Sequence, residues 1–200
     1  MLDLNRLQLL CREILRIYEN LDDLGKCDYP LKILVRRIMS FSDEWENVYR
    51  SNDQMSMWPW SDLVSLMHRY CKSTINSKGK VLELGCGAGA NIPFFLAMGM
   101  DYHAIEGSQT IVDHIHGRFP ELRDNIVQGD FTAVLLDSDK FDVILDRAAL
   151  THNSASDIHN TLEKSLNALA DQGTFLGIDW FSTKHSDIVK GQRVDDAFTY

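Results

Sequence analysis

From Leu7 onward the apolar residues Leu10, Ile14, Ile17, Leu21 and Leu24 follow one another at spacings of three and four, drawing one stripe along a helix that ends near Gly25. A second helix is predicted from Pro30, burying Leu31, Leu34 and Ile38. Such stripes serve as packing faces, and a short heptad seam joining two copies of the chain is the other reading. Ser42 followed by Asp43 and Glu44 marks a further helix start, with Trp45 and Tyr49 one turn apart on the same face. The aromatic and methionine-rich stretch Met55, Met57, Trp58, Pro59, Trp60 leads into a helix capped by Ser61. Residues 1–76 therefore read as a helical N-terminal extension, and Asn76, Ser77, Lys78 and Gly79 as the polar break that closes it.

The pattern then changes. Short apolar runs at Val81 to Leu84, Tyr102 to Ile105, Ile126 to Gln128, Phe141 to Leu145 and Thr174 to Ile178 alternate with helical segments near Ile92 to Met98, Ser108 to His116 and Asp157 to Ala170. The last helix shows Ile158, Leu162, Leu166 and Leu169 on one face, with Gly173 shortly after its end. Strand and helix in alternation imply right-handed crossovers and a mostly parallel, doubly wound α/β sheet with helices on both faces, the Rossmann-like class, over residues 77–200. No internal repeat or low-complexity tract interrupts it.

Composition narrows the function classes. With 200 residues, 44% hydrophobic and 24% charged, the chain supports one substantial core. Its formal charge of -9 argues against broad affinity for nucleic acid or an anionic membrane, because phosphates are held mainly by clustered Lys and Arg. Cys11, Cys27, Cys71 and Cys86 make no zinc-type spacing and read as reduced thiols. His114 and His116 lie two apart in a helix and point to different sides, so no metal site is expected. No stretch of about 18 apolar residues occurs, and Asp3, Arg6, Arg12 and Glu13 break up the N-terminus, so a cytoplasmic protein is expected.

The strongest local signal is Val81-Leu82-Glu83-Leu84-Gly85-Cys86-Gly87-Ala88-Gly89, an apolar strand running into a glycine-rich turn and a helix. Glycines permit positive φ and let a ligand approach the backbone closely. Taken alone, the turn fits a structural role or a dinucleotide site, since Gly85-x-Gly87-x-x-Ala90 also satisfies the dinucleotide fingerprint. Glu106 ends the second strand, where a carboxylate accepts hydrogen bonds from ribose hydroxyls. The third strand ends in Gln128-Gly129-Asp130-Phe131, which offers an acid to an adenine amino group and a ring to its face.

In combination, the run from Glu83 to Gly89, Glu106, Gly129-Asp130-Phe131 and Phe141-Asp142-Val143-Ile144-Leu145-Asp146 resemble a class I S-adenosylmethionine-dependent methyltransferase, over roughly residues 76–180. The resemblance implies that Glu83 and the Gly85, Gly87, Gly89 turn face the methionine part of the cofactor, that Glu106 holds the ribose, and that Asp130 and Phe131 hold the adenine. It places Asp146 near the sulfonium and the substrate. Acidic walls suit a positive sulfonium better than an NAD pyrophosphate, which leaves an NAD-dependent oxidoreductase as the second reading, with a non-catalytic methyltransferase-fold binding module as a further alternative.

Methyl transfer is an in-line displacement in which positioning supplies much of the rate, and a general base is optional. His152, in the segment leaving the fourth strand beside the switch point of the sheet, is the candidate base, with a structural histidine as the alternative. The fourth strand lacks the Asn/Asp-Pro-Pro-aromatic run associated with adenine amino methylation, so the expected acceptor is a small molecule methylated at oxygen or nitrogen. Arg147 reads as a salt-bridge residue or as a partner for a substrate carboxylate. Trp45, Tyr49, Trp58 and Trp60 read as packing residues or as a lid. The family sheet carries two further antiparallel strands, whereas the tail from Phe181 to Tyr200 is polar and shows no hairpin. The fifth strand is thus expected to be an exposed edge in a C-terminally truncated domain, open to the tail or to another subunit, and a homo-oligomer through this edge or the N-terminal helix is anticipated.

Overall fold

The computed structural model describes residues 43–133 and 140–180. The helices expected between Leu7 and Ile38, and the tail after Trp180, lie outside the described residues. Helices α1 (Asp43–Arg50), α2 (Ser61–Tyr70) and α3 (Lys72–Ser77) precede β1 (Lys80–Leu84), α4 (Ile92–Ala97), β2 (Asp101–Glu106), α5 (Gln109–Arg118), β3 (Ile126–Gln128), β4 (Phe141–Arg147), α6 (Ala155–Ala168) and β5 (Leu169–Ile178). Short 3₁₀ turns occur at Pro120–Leu122 and Leu150–His152.

The five strands form one sheet in the order β3-β2-β1-β4-β5, and every neighbouring pair is parallel. The chain winds outward from β1 through β2 to β3, then returns to place β4 on the other side of β1. The strand order thus reverses between β1 and β4, which opens a crevice at their carboxyl ends. This is the Rossmann-like arrangement expected from the alternation of apolar runs and helices. β5 pairs only with β4 among the described residues.

Successive residues of the central strands feed two cores, because side chains alternate across a sheet. Val81, Val143 and Leu145 pack on one face with Leu63 and Met67 of α2, Phe95 of α4 and Ile111 and Ile115 of α5. Leu82, Leu84, Phe141 and Ile144 pack on the other with Leu150, Ala168 and the half-buried Leu162 of α6. Both faces of β1 and β4 are covered, which explains why these strands read as continuous apolar runs.

Element boundaries differ from the sequence expectation where local bonds decide them. Ser61 is the first residue of α2 rather than its cap, since Trp60 holds the extended N-cap conformation. The expected polar break is partly helical: α3 runs to Ser77 and is closed by Lys78 in the left-handed region, whose N–H reaches the Ile75 and Thr74 carbonyls. α6 starts earlier than expected because Ser154 caps it, accepting from the Asp157 N–H. It also ends earlier: Leu169 pairs with Phe141, and an irregularity around Gln172, at φ 65°, precedes the pairing of Thr174 with Val143.

Candidate functional site

The carboxyl ends of β1, β2, β3 and β4 surround a cavity of about 270 Å³. β1 delivers Glu83 and then turns sharply. Gly85, Gly87 and Gly89 sit at φ 64°, 51° and 75°, a region that side chains rarely adopt. At Gly85 a Cβ would also lie 2.6 Å from the Ala149 Cβ, so the turn packs directly on the segment that follows β4. The Gly85 N–H donates to the Ile105 carbonyl at 2.9 Å, which ties the turn to β2.

Glu106, at the end of β2, is buried and accepts from the Gly87 N–H at 2.8 Å and from the Ser108 N–H at 2.9 Å. Burial raises its pKa against those two donors. Glu83 is equally buried and accepts from Asn91 Nδ2 at 2.7 Å and from the Tyr102 hydroxyl at 2.6 Å. Burial pushes its pKa up to about 7, the two hydrogen bonds opposing it. Asp130 accepts from the Thr132 N–H at 2.8 Å and from the Thr132 hydroxyl at 2.7 Å. Gly129, Asp130 and the half-buried Phe131 line the cavity beyond Glu106.

On the β4 side the wall consists of Arg147, Ala148, Ala149, His152 and Asn153. Burial lowers the pKa of His152 below its ordinary value of 6.5, so the imidazole is neutral near pH 7. Its ring stands edge-on to Trp45, with centroids 5.1 Å apart. The Arg147 guanidinium lies 3.7 Å over the Trp60 ring and pairs with Asp179, so its salt-bridge role is realised in the structure. From α1, Trp45 and Tyr49 complete the enclosure, and Glu46 accepts from the hydroxyls of Ser108 and Thr110 at the start of α5.

Glu83, Gly85, Gly87, Glu106, Gly129, Asp130, Phe131 and His152 thus converge on one cavity. Two residues singled out with them do not reach its wall. Gly89 faces Ile92 and Ile115 in the core. Asp146 is fully buried, one oxygen accepting from the Leu150 N–H at 2.9 Å and the other from the Trp180 indole. Its pKa is raised to about 6 by burial, and those donors oppose the rise. Cys86 lines the cavity, and burial pushes its thiol up, which makes it a poor nucleophile. Asn91, Tyr102, Glu46 and Trp180 carry the hydrogen bonds of the site without having been singled out for it.

Residues 81–173 match the family model described as a methyltransferase domain. These residues carry a methyltransferase domain. A 51-residue stretch is 43% identical to ribosomal RNA small subunit methyltransferase A of Porphyromonas gingivalis, covering 26% of this chain and 20% of that protein. Among solved structures, the PH0226 protein of Pyrococcus horikoshii superimposes with a TM-score of 0.53 at 15% identity, over 68% of this chain and 65% of its own. A TehB-like SAM-dependent methyltransferase of Corynebacterium glutamicum gives a TM-score of 0.50 at 19% identity, over 71% of each chain. These structures share the fold of the methyltransferase domain. The matched stretch spans only a fifth of the curated relative.

Within the methyltransferase domain the family-matched segment begins at β1 and ends inside β5, so α1 and α2 lie outside it. Trp45, Tyr49 and Trp60, which enclose the cavity, therefore come from outside the matched segment, whereas Trp58 is 74% exposed and contributes nothing to the wall. No helix among the described residues is long and apolar enough to cross a membrane.

Proposed function

We propose that this chain transfers the methyl group of S-adenosylmethionine to an oxygen or nitrogen of a small-molecule acceptor, as a cytoplasmic enzyme. The observation that supports this reading is the convergence of the glycine turn, three carboxylates, Phe131 and a neutral histidine on one cavity at the reversal of strand order. The residues present fit the cofactor. At Gly87 a Cβ would stand 3.2 Å from the Tyr49 hydroxyl, so the bare backbone leaves a cradle that a side chain would fill. Glu83, Glu106 and Asp130 line the wall with carboxyl oxygens, which favour a bound cation over an anion.

In this reading Glu83 and the backbone of the turn at Gly85 and Gly87 hold the methionine part, with Gly89 supporting the turn from the core. Glu106 holds the ribose, and Gly129, Asp130 and Phe131 hold the adenine. When bound, the cofactor supplies an electrophilic methyl carbon on a positively charged sulfur. His152 takes the proton that the acceptor oxygen or nitrogen gives up, for which a neutral imidazole on the cavity wall is suited. Asp146, with both oxygens engaged away from the cavity, acts from beneath it rather than at the sulfonium.

A calorimetric titration with S-adenosylmethionine, S-adenosylhomocysteine and NAD in parallel tests the reading. Binding of both sulfur nucleosides without NAD, followed by methyl transfer to a member of a small-molecule hydroxyl and amine panel, is expected. Preference for NAD would establish the oxidoreductase reading instead, and binding without any turnover would favour the non-catalytic module.

A further inference from the structure

Trp180 lies just beyond β5 and is 44% exposed, yet one edge of its indole is packed on Gly177, where a Cβ would stand 2.7 Å from ring carbons. Only a glycine admits the ring there. The seated indole donates its N–H to Asp146 Oδ2 on the neighbouring strand. Asp146 in turn accepts from the N–H of Leu150, the first residue of the 3₁₀ turn Leu150–His152. Between them Ala148 occupies the left-handed region at φ 56°, and its N–H donates to the Ile178 carbonyl at 2.9 Å. A non-glycine residue persists in that conformation only where its surroundings over-determine it. The far end of the same turn presents His152 to the cavity and to Trp45.

We propose that Trp180 is a positioning residue for His152, acting through Asp146 to fix the turn that carries the imidazole into the cavity. The inference rests on the reading of His152 as the proton acceptor. An indole N–H donates and never accepts, so it holds the facing carboxyl as an acceptor. Without that donor the buried carboxylate keeps only its backbone donors, its Oδ2 is no longer held by the indole, and the strained turn through Ala148 is free to relax.

Trp180→Phe in the full chain tests this, because phenylalanine keeps an aromatic side chain at this position and removes the indole N–H donor. The readouts are the His152 ring signals in proton NMR, which the edge-on Trp45 ring shifts, and calorimetric affinity for S-adenosylhomocysteine. Displaced His152 signals with unchanged affinity are expected, and His152 signals that superimpose on those of the wild type overturn the proposal. Asp146→Asn provides a second measurement should Trp180→Phe not fold: the Trp180 indole N–H resonance is expected to move upfield, and a resonance that stays in place overturns the link. Loss of the proton-acceptor reading is separately visible as unaltered methyl transfer in His152→Ala, whatever the NMR shows.

Discussion

Tyr102 donates its hydroxyl to Glu83 Oε2 at 2.6 Å, across two neighbouring parallel strands in which Tyr102 lies opposite Val81. Glu83 is therefore a buried acid held by a phenol and by the Asn91 amide, with no cation among those partners. Burial sets its pKa near 7 in the folded chain against an ordinary value of 4.5. The native state thus holds the proton more tightly than the unfolded state, and the sign follows: this group costs nothing at acid pH, and its cost grows as pH rises from about 4.5 through about 7. Glu83→Gln removes that slope. Relative to the wild type, the variant is expected to gain on the order of 3 kcal/mol in urea unfolding between about pH 4 and pH 8, at ~1.4 kcal/mol per pKa unit. A pH-independent difference between the two proteins would show that Glu83 is not raised.

The glycine turn separates structural from ligand-binding demands. Gly85→Ala places a Cβ 2.6 Å from the Ala149 Cβ at a positive φ, so it is expected to destabilise the fold by about 3 kcal/mol through steric overlap and backbone strain. Gly87→Ala meets only the Tyr49 hydroxyl at 3.2 Å, and its expected cost is nearer ~1 kcal/mol. Its effect belongs in the cavity, where the added methyl group occupies the cradle. Thermal unfolding and S-adenosylhomocysteine titration of both variants should therefore rank them in opposite orders, with Gly85→Ala the less stable and Gly87→Ala the weaker binder per unit of stability lost. The same ranking in both measurements would reject this division.

Glu46 fastens α1 to the start of α5. Its carboxylate accepts from Ser108 and Thr110, and these hydroxyl bonds lower its pKa. Since Trp45 and Tyr49 enclose the cavity from the same helix, Glu46→Ala is expected to loosen the enclosure more than the fold. Faster hydrogen exchange confined to α1 is the predicted signature, with a global stability loss of about 1 kcal/mol. Uniformly accelerated exchange throughout the sheet would instead make Glu46 an ordinary stabilising residue.

The parts of this site legible in the sequence are those set by strand ends. Glu83 sits one residue before the end of its apolar run and Glu106 and Asp130 close or follow theirs, and in a parallel sheet the carboxyl ends lie together, so spacing alone brings these acids to one crevice. What the sequence does not expose is orientation and cross-strand pairing. Asp146 is the penultimate residue of β4 rather than its last, and Arg147, not Asp146, lines the cavity, because adjacent residues of a strand point to opposite faces. Tyr102 becomes a partner of Glu83 only through the register of β1 with β2. Trp180 lies at the margin of a polar tail, and its link to Asp146 spans 34 residues, with nothing local to announce it. Trp45 and Tyr49 were readable as one helix face, while the surface that this face covers depends on the Glu46 contacts with α5.

His152 and Asp146 compete as the origin of any acid limb in turnover. Burial lowers the histidine from its ordinary 6.5 and raises the aspartate to about 6, so the two are shifted towards each other and their variants are needed to assign the limb. Their variants separate them. If His152 takes the proton, activity rises with pH as the imidazole loses its charge, with a midpoint below 6.5 and a plateau above it. His152→Ala should then lower kcat by roughly 10²–10⁴, the range of a positioned base, and abolish the limb while S-adenosylhomocysteine affinity is retained. Asp146→Asn should keep the limb, because an asparagine cannot titrate and the histidine still can. A limb that survives His152→Ala but vanishes in Asp146→Asn would move the titrating group from the cavity wall to the carboxylate beneath it, and the role of the 3₁₀ turn would reduce to shaping the pocket.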